Sequence, residues 1–141
     1  MKNTDLAYDY VDRAGKRLRA VETLLELEAW ADVVRESQEV VELAMKGLLR
    51  FAGVEPPRLH DVSDLVGEHR AAYPRALQKK LARMAAISRG LRRDRELAFY
   101  GSEDLTPSQF YKESDAREAI EGARFVVGAA GTLFRDGDVE G

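Results

Sequence analysis

The sequence predicts an all-α protein, an up-and-down four-helix bundle with an additional short helix between helices 2 and 3. Three observations predict it. Four long segments repeat apolar residues at alternating steps of three and four, which lays a stripe along one side of a helix and cannot build a strand. Four such stripes, each needing cover, make a bundle with near-parallel axes. Helix-stopping residues fall between the segments, as separate helices require.

In the first segment the stripe is Ala7, Val11, Ala14, Leu18, Val21 and Leu25, with Thr4 or Asp5 as the cap and Asp9 and Asp12 nearby. Leu27-Glu28-Ala29 is a brief connection, which forces the next helix antiparallel. The second segment carries two rows: Val34, Gln38, Val41, Met45, Leu48 and Ala52, and beside them Val33, Ser37, Val40, Ala44, Gly47 and Phe51. A stripe this wide touches two neighbours. Gly53 stops this helix and Pro56-Pro57 forbids restarting it there. His60-Asp61-Val62-Ser63-Asp64-Leu65 opens the short helix, which Tyr73-Pro74 ends, since a residue before proline avoids helical angles.

The third long segment repeats Leu77, Leu81, Met84, Ser88, Leu91, Arg95 and Ala98. Positions 101–112, with Pro107 inside, read as one long loop. Glu113 or Ser114 starts the last helix, whose stripe is Ala116, Ile120, Ala123, Val127, Ala130 and Phe134. No internal repeat, low-complexity tract or linker divides the chain, so one domain over 1–141 is expected, with its core at about 4–134 and a frayed tail.

Bulk composition sets the limits. The 141 residues suffice to bury a real core, and 45% hydrophobic with 33% charged residues is ordinary for a globular protein. The apolar stretch at 125–134 is broken by Gly128 and Gly131 and is too short for a bilayer, so no membrane partner is expected. There are no cysteines, which excludes disulfides and thiolate metal sites. Polar ends without a charged-then-apolar leader lead to the expectation of a cytoplasmic protein.

The net charge of -3 conceals an asymmetry. Between positions 79 and 95 stand Lys79, Lys80, Arg83, Arg89, Arg92, Arg93 and Arg95, opposed only by Asp94. A basic band on an otherwise acidic chain suits a polyanion, and it also suits a solvated helix face.

Three polar residues interrupt the apolar stripes: Gln38 in the second, Arg95 in the third, and Glu42 beside Val41. A buried polar group costs stability unless paired, and a guanidinium is always charged. Either Glu42 or Glu39 on the facing helix holds Arg95, or the third helix ends before it and leaves it in water. Tyr100 follows one turn and a fraction later. It could place its phenol near Arg95, or with Phe99 close the end of the core. His60 and His69, the only imidazoles, lack the spacing of a helical ligand pair, and Gly53, Gly67 and Gly90 stand alone rather than in a phosphate loop. No metal or cofactor is expected.

Gln38-Glu39-Val40-Val41-Glu42-Leu43-Ala44-Met45-Lys46-Gly47-Leu48-Leu49 resembles the second helix of HEPN domains (higher eukaryotes and prokaryotes nucleotide-binding domains). Pro56-Pro57-Arg58-Leu59-His60-Asp61-Val62 is similar to the Pro-rich turn and His-Asp-apolar entry that follow in that family. Positions 95–100, and Phe110-Tyr111 ahead of a helix with Ala116 and Ala123, resemble its closing segment. The resemblance implies a bundle of four or five helices that usually dimerises. It also implies kinship with RNA-cutting toxins, partners of small nucleotidyltransferases, and nucleotide binders. Ribonuclease members carry an Arg, four to six residues, then a His, and two copies meet across the dimer. Here Arg95 matches the Arg, position 100 is Tyr, and no histidine follows His69.

A His titrates near neutral pH, with a reference pKa of ~6.5, whereas a tyrosine at ~10 is a poor proton carrier. The expected function is therefore a dimeric binding module. It engages a nucleotide, RNA or a nucleotidyltransferase through Arg89, Arg92, Arg93 and Arg95, with Glu42 and Gln38 as structural polar partners. Two alternatives stand beside it: a metal-independent endoribonuclease using Arg95 and Tyr100, and a helical adaptor whose basic band is only solvated surface.

Overall fold

The computed structural model describes residues 3–59, 61–100 and 106–135, and for 94–100 the backbone only. Every regular element among them is helical: α1 (Asn3–Glu26), α2 (Trp30–Phe51), α3 (Ser63–Glu68), α4 (Arg75–Gln78), α5 (Leu81–Tyr100), α6 (Pro107–Phe110) and α7 (Glu113–Gly131), with 3-10 turns at Arg70–Ala72 and Thr132–Phe134. The long helices α1, α2, α5 and α7 form the bundle. Helices α2 and α7 pack together in its centre, α1 lies against both on one side, and α5 lies against both on the other. Among the described residues no helix is long and apolar enough to cross a membrane.

The double stripe of α2 explains its central place. Val33, Val34, Ser37, Gln38, Val40, Val41, Ala44, Met45, Gly47, Leu48 and Leu49 are all buried, so two faces are covered at once. At the α1–α2 turn Glu28 takes a positive φ of 60°, while Glu28 N–H donates to Leu25 O and Ala29 N–H to Leu24 O. At the far end Gly53, with φ 81°, lets Val54 N–H reach Leu49 O at 2.9 Å, so the expected stop is made by the residue without a Cβ penalty.

Several boundaries differ from expectation, each for a local reason. Helix α1 already runs at Asn3, so Thr4 and Asp5 lie inside it rather than capping it. The third stripe is interrupted at Lys79 and Lys80, where Lys80 N–H bonds the Leu77 carbonyl and tightens the turn, yet Leu77, Leu81, Met84, Ser88 and Leu91 still face inward. The expected loop at 101–112 contains α6. Thr106 Oγ1 accepts from Gln109 N–H, the Gln109 side chain accepts from Thr106 N–H, and Pro107 occupies the first helical position. In α7 the core-facing residues are Ala116, Ala119, Ile120, Ala123, Val126, Ala129 and Ala130, followed by Leu133 in the closing turn. Val127 and Phe134 are only half-buried, because a straight helix at 3.6 residues per turn drifts away from a strict seven-residue repeat. The tail 136–141 expected to fray lies outside the described residues.

Candidate functional site

The basic band belongs to α5, and three tethers fix the start of that helix. Tyr73 donates its hydroxyl to the Leu48 carbonyl at 2.9 Å, and burial pushes its phenol up to about 12. Gln78 Nε2 donates to the Tyr73 carbonyl at 2.8 Å. Asp61 Oδ1 accepts from Ser63 N–H at 3.0 Å and from Ser88 Oγ at 2.8 Å, tying the α2–α3 connection to the middle of α5. Partial burial alone would raise the Asp61 carboxyl. The hydrogen bonds from Ser63 and Ser88, with the charge of Arg89, outweigh that and hold it below the usual carboxylate range.

Lys79, Lys80, Arg83, Arg89, Arg92 and Arg93 are all exposed. They do not form one patch. At 100° per residue Arg83 and Arg92 point to opposite sides of α5, about 180° apart, and Arg89 lies about 120° from Arg83. Arg89 Nη1 stands 4.0 Å from Asp64 Oδ1 on the α3 side, where both side chains are more than half exposed and the pair is weak. On the α7 side the Arg83 guanidinium lies 3.8 Å above the Phe125 ring. Arg93 lines the same side, in a hollow bordered by Asp115 and Glu118 of α7.

Of the other expected residues, Gln38 is buried in α2 with 1% exposure. Glu42 binds Lys46 Nζ of its own helix at 3.0 Å, and both side chains are largely covered (15% and 16% exposed). The side chains of Arg95 and Tyr100, and His60 as a whole, lie outside the described residues. The α5 backbone is helical through both 95 and 100, which sets those two positions about 140° apart around one axis. His69 caps the C-terminal end of α3. Among the described residues no group of three or more His, Asp or Glu side chains is arranged to hold a metal ion.

Two features escaped the sequence. The Asp61–Ser88 bond joins residues 27 positions apart, and Ser88 in the apolar stripe was its only visible sign. The groove between α5 and α7, with Arg83 and Phe125 across it, was foreshadowed only by two small residues, Gly90 and Gly122.

No characterised protein and no solved structure matches the chain significantly. A family model described as HEPN domain matches residues 7–133, nearly the whole sequence. Helix order, the rows of α2 and the tethered entry to α5 all fall inside that span, and the chain belongs to the HEPN domain family.

Proposed function

We propose that the chain is a HEPN binding module that works as a homodimer and holds a phosphate-bearing ligand, RNA or a nucleotide, on the α3-facing side of α5, without cutting it. The observation that carries this reading is the run of exposed cations along α5, a helix whose own sequence contains no histidine. Arg89 and Arg92 stand in solvent on one flank, with Asp61 and Asp64 beside Arg89, and the sequence offers no histidine after His69. Cations so placed make sequence-blind phosphate contacts, and a proton carrier suited to neutral pH is missing from this part of the chain. Arg93 lines the other flank, and Arg95 follows further along the helix.

Fluorescence anisotropy of labelled single-stranded RNA and of a nucleotide tests the binding. Affinity should fall steeply with salt, the double-logarithmic slope losing about 0.7 for each phosphate contact removed by Arg89→Ala or Arg92→Ala. Absence of binding at low salt would end the phosphate reading. Incubated RNA should stay intact. Cleavage by the wild type that disappears in Arg95→Ala and Tyr100→Phe would overturn the non-cutting part and favour the ribonuclease.

One observation favours a protein ligand instead. The α7 flank of the band faces carboxylates, which repel RNA and suit a partner of mixed charge. A small nucleotidyltransferase is the partner the family resemblance suggests. Copurification of a neighbouring nucleotidyltransferase, lost on Arg95→Ala, would move the reading there.

A further inference from the structure

The basic segment begins before α5. No aspartate or glutamate occurs from position 69 to position 93, and Arg70 and Arg75 precede the lysines at 79 and 80. Arg70, Arg75, Lys79 and Lys80 are exposed, and none of them takes part in an ion pair among the described residues. Backbone hydrogen bonds set them on adjoining turns. Tyr73 N–H donates to the Arg70 carbonyl at 3.1 Å, and Lys79 N–H to the Arg75 carbonyl at 3.3 Å. The Lys80 carbonyl accepts from Met84 N–H at 3.0 Å, so Lys80 opens α5. The bonds from Tyr73 to Leu48 and from Gln78 to Tyr73 anchor the same stretch to the core. Cations carried on a backbone already ordered lose less freedom when a ligand arrives.

The two ends of this track differ in what opposes a phosphate. At the far end Asp64 lies 4.0 Å from Arg89, and Asp61 accepts from the neighbouring Ser88. At the near end the closest acid in sequence is Glu68, two positions before Arg70. Between the ends, Ala82, Ala85 and Ala86 are the residues that α5 turns away from both the core and α7. Exposed Ala82 lies two turns before Arg89 and within about 20° of it around the axis. That face carries only methyl groups, so nothing bulky separates the two sets of cations. At about 1.5 Å per residue, Lys80 and Arg92 stand ~18 Å apart along the helix. A stacked nucleic-acid strand places a phosphate every ~3.4 Å, so this length spans about five of them. A mononucleotide reaches one end only.

We propose that the ligand is a strand of RNA about five nucleotides long or longer, lying along α5 from Arg89 and Arg92 back to Lys80, Lys79 and Arg75. The start of α5 supplies the stronger phosphate contacts, because its cations have no carboxylate paired with them. Arg83 stays off the track: its guanidinium lies over Phe125 on the α7 side, where Glu118 and Glu121 line the surface. The proposal rests on the phosphate reading above and chooses the strand over the single nucleotide.

Fluorescence anisotropy with a labelled RNA dinucleotide and a labelled dodecamer, each titrated at several salt concentrations, tests it. The dodecamer should bind about tenfold or more tighter than the dinucleotide, and it should feel both ends of the track. Lys79→Ala combined with Lys80→Ala should lower its salt slope by about 1.4, and Arg89→Ala combined with Arg92→Ala by the same amount, at ~0.7 for each contact with a single strand. The dinucleotide should respond to the lysine pair alone. All four residues are exposed, so both variants should keep the helical circular dichroism of the wild type. A dinucleotide that binds as tightly as the dodecamer would overturn the strand. A dodecamer whose slope falls with the arginine pair and not with the lysine pair would overturn the extension to the start of α5, while the phosphate reading stands. No binding of either RNA at low salt would overturn the phosphate reading and this proposal together.

Discussion

Helices α2 and α5 pack against each other, yet they are held in opposite ways. Helix α2 is covered on two faces, and its Gly47 is a point of near contact. A Cβ there would lie 2.8 Å from Val11 Cγ2 and 3.3 Å from the Ala7 carbonyl oxygen. Helix α5 is covered on one face by Leu81, Met84, Ser88 and Leu91, and its Gly90 looks onto open space. One glycine is demanded by packing, the other by nothing inside the chain. The difference teaches that α2 is a structural axis, covered on two faces, whereas α5 keeps most of its circumference for something outside.

Three substitutions break or sharpen that contrast. The largest effect is expected at Gly47→Ala, which drives a methyl group into α1 and should lower unfolding stability by about 1–3 kcal/mol in urea titration. Ser88→Ala should cost about 1–1.5 kcal/mol at neutral pH by removing the hydrogen bond to Asp61. This loss should depend on pH. A carboxyl held below its unfolded value of about 3.9 contributes its stability above that pH and loses it as the pH falls through the lower folded value. The difference between wild type and Ser88→Ala should stay constant above about pH 5 and shrink below about pH 4. A difference that is flat into the acid transition would mean that the bond does not favour the ionised form. The smallest effect, of opposite sign, is expected at Gly90→Ala: a gain of about 0.5–1 kcal/mol from helix propensity alone. A loss there would show that α5 is more tightly covered than its open surface indicates.

Much of the fold was legible because burial imposes a period on the sequence. The double row from Val33 to Leu49 could only belong to a helix with two covered faces, and it does. Gly53 before Pro56-Pro57 announced its end. The capping box at Thr106-Pro107-Ser108-Gln109 was equally readable and was overshadowed by the proline, which starts a helix here instead of breaking one. Phase was less accessible than period. Val126 and Leu133 replace Val127 and Phe134 inside, since the drift of a straight helix is settled by its neighbours.

The candidate site was legible as composition and not as arrangement. Counting found the cations between 79 and 95. It did not find that Arg83 lies over Phe125 while Arg89 turns toward Asp64. Nor did it find that Glu42 is bound by Lys46 one turn further on its own helix, a spacing plainly visible once one looks within a helix rather than across to Arg95.

The sequence by itself determined the helical class, the order of the long helices and the presence of a basic segment. Periodicity, helix stops and charge are local properties that survive in a linear text. Only the tertiary structure decided that Asp61 grips Ser88, that the cations divide between two flanks, and that a groove opens between α5 and α7. These depend on the axial rotation and register of one helix against another, which the whole core fixes at once and no single segment encodes.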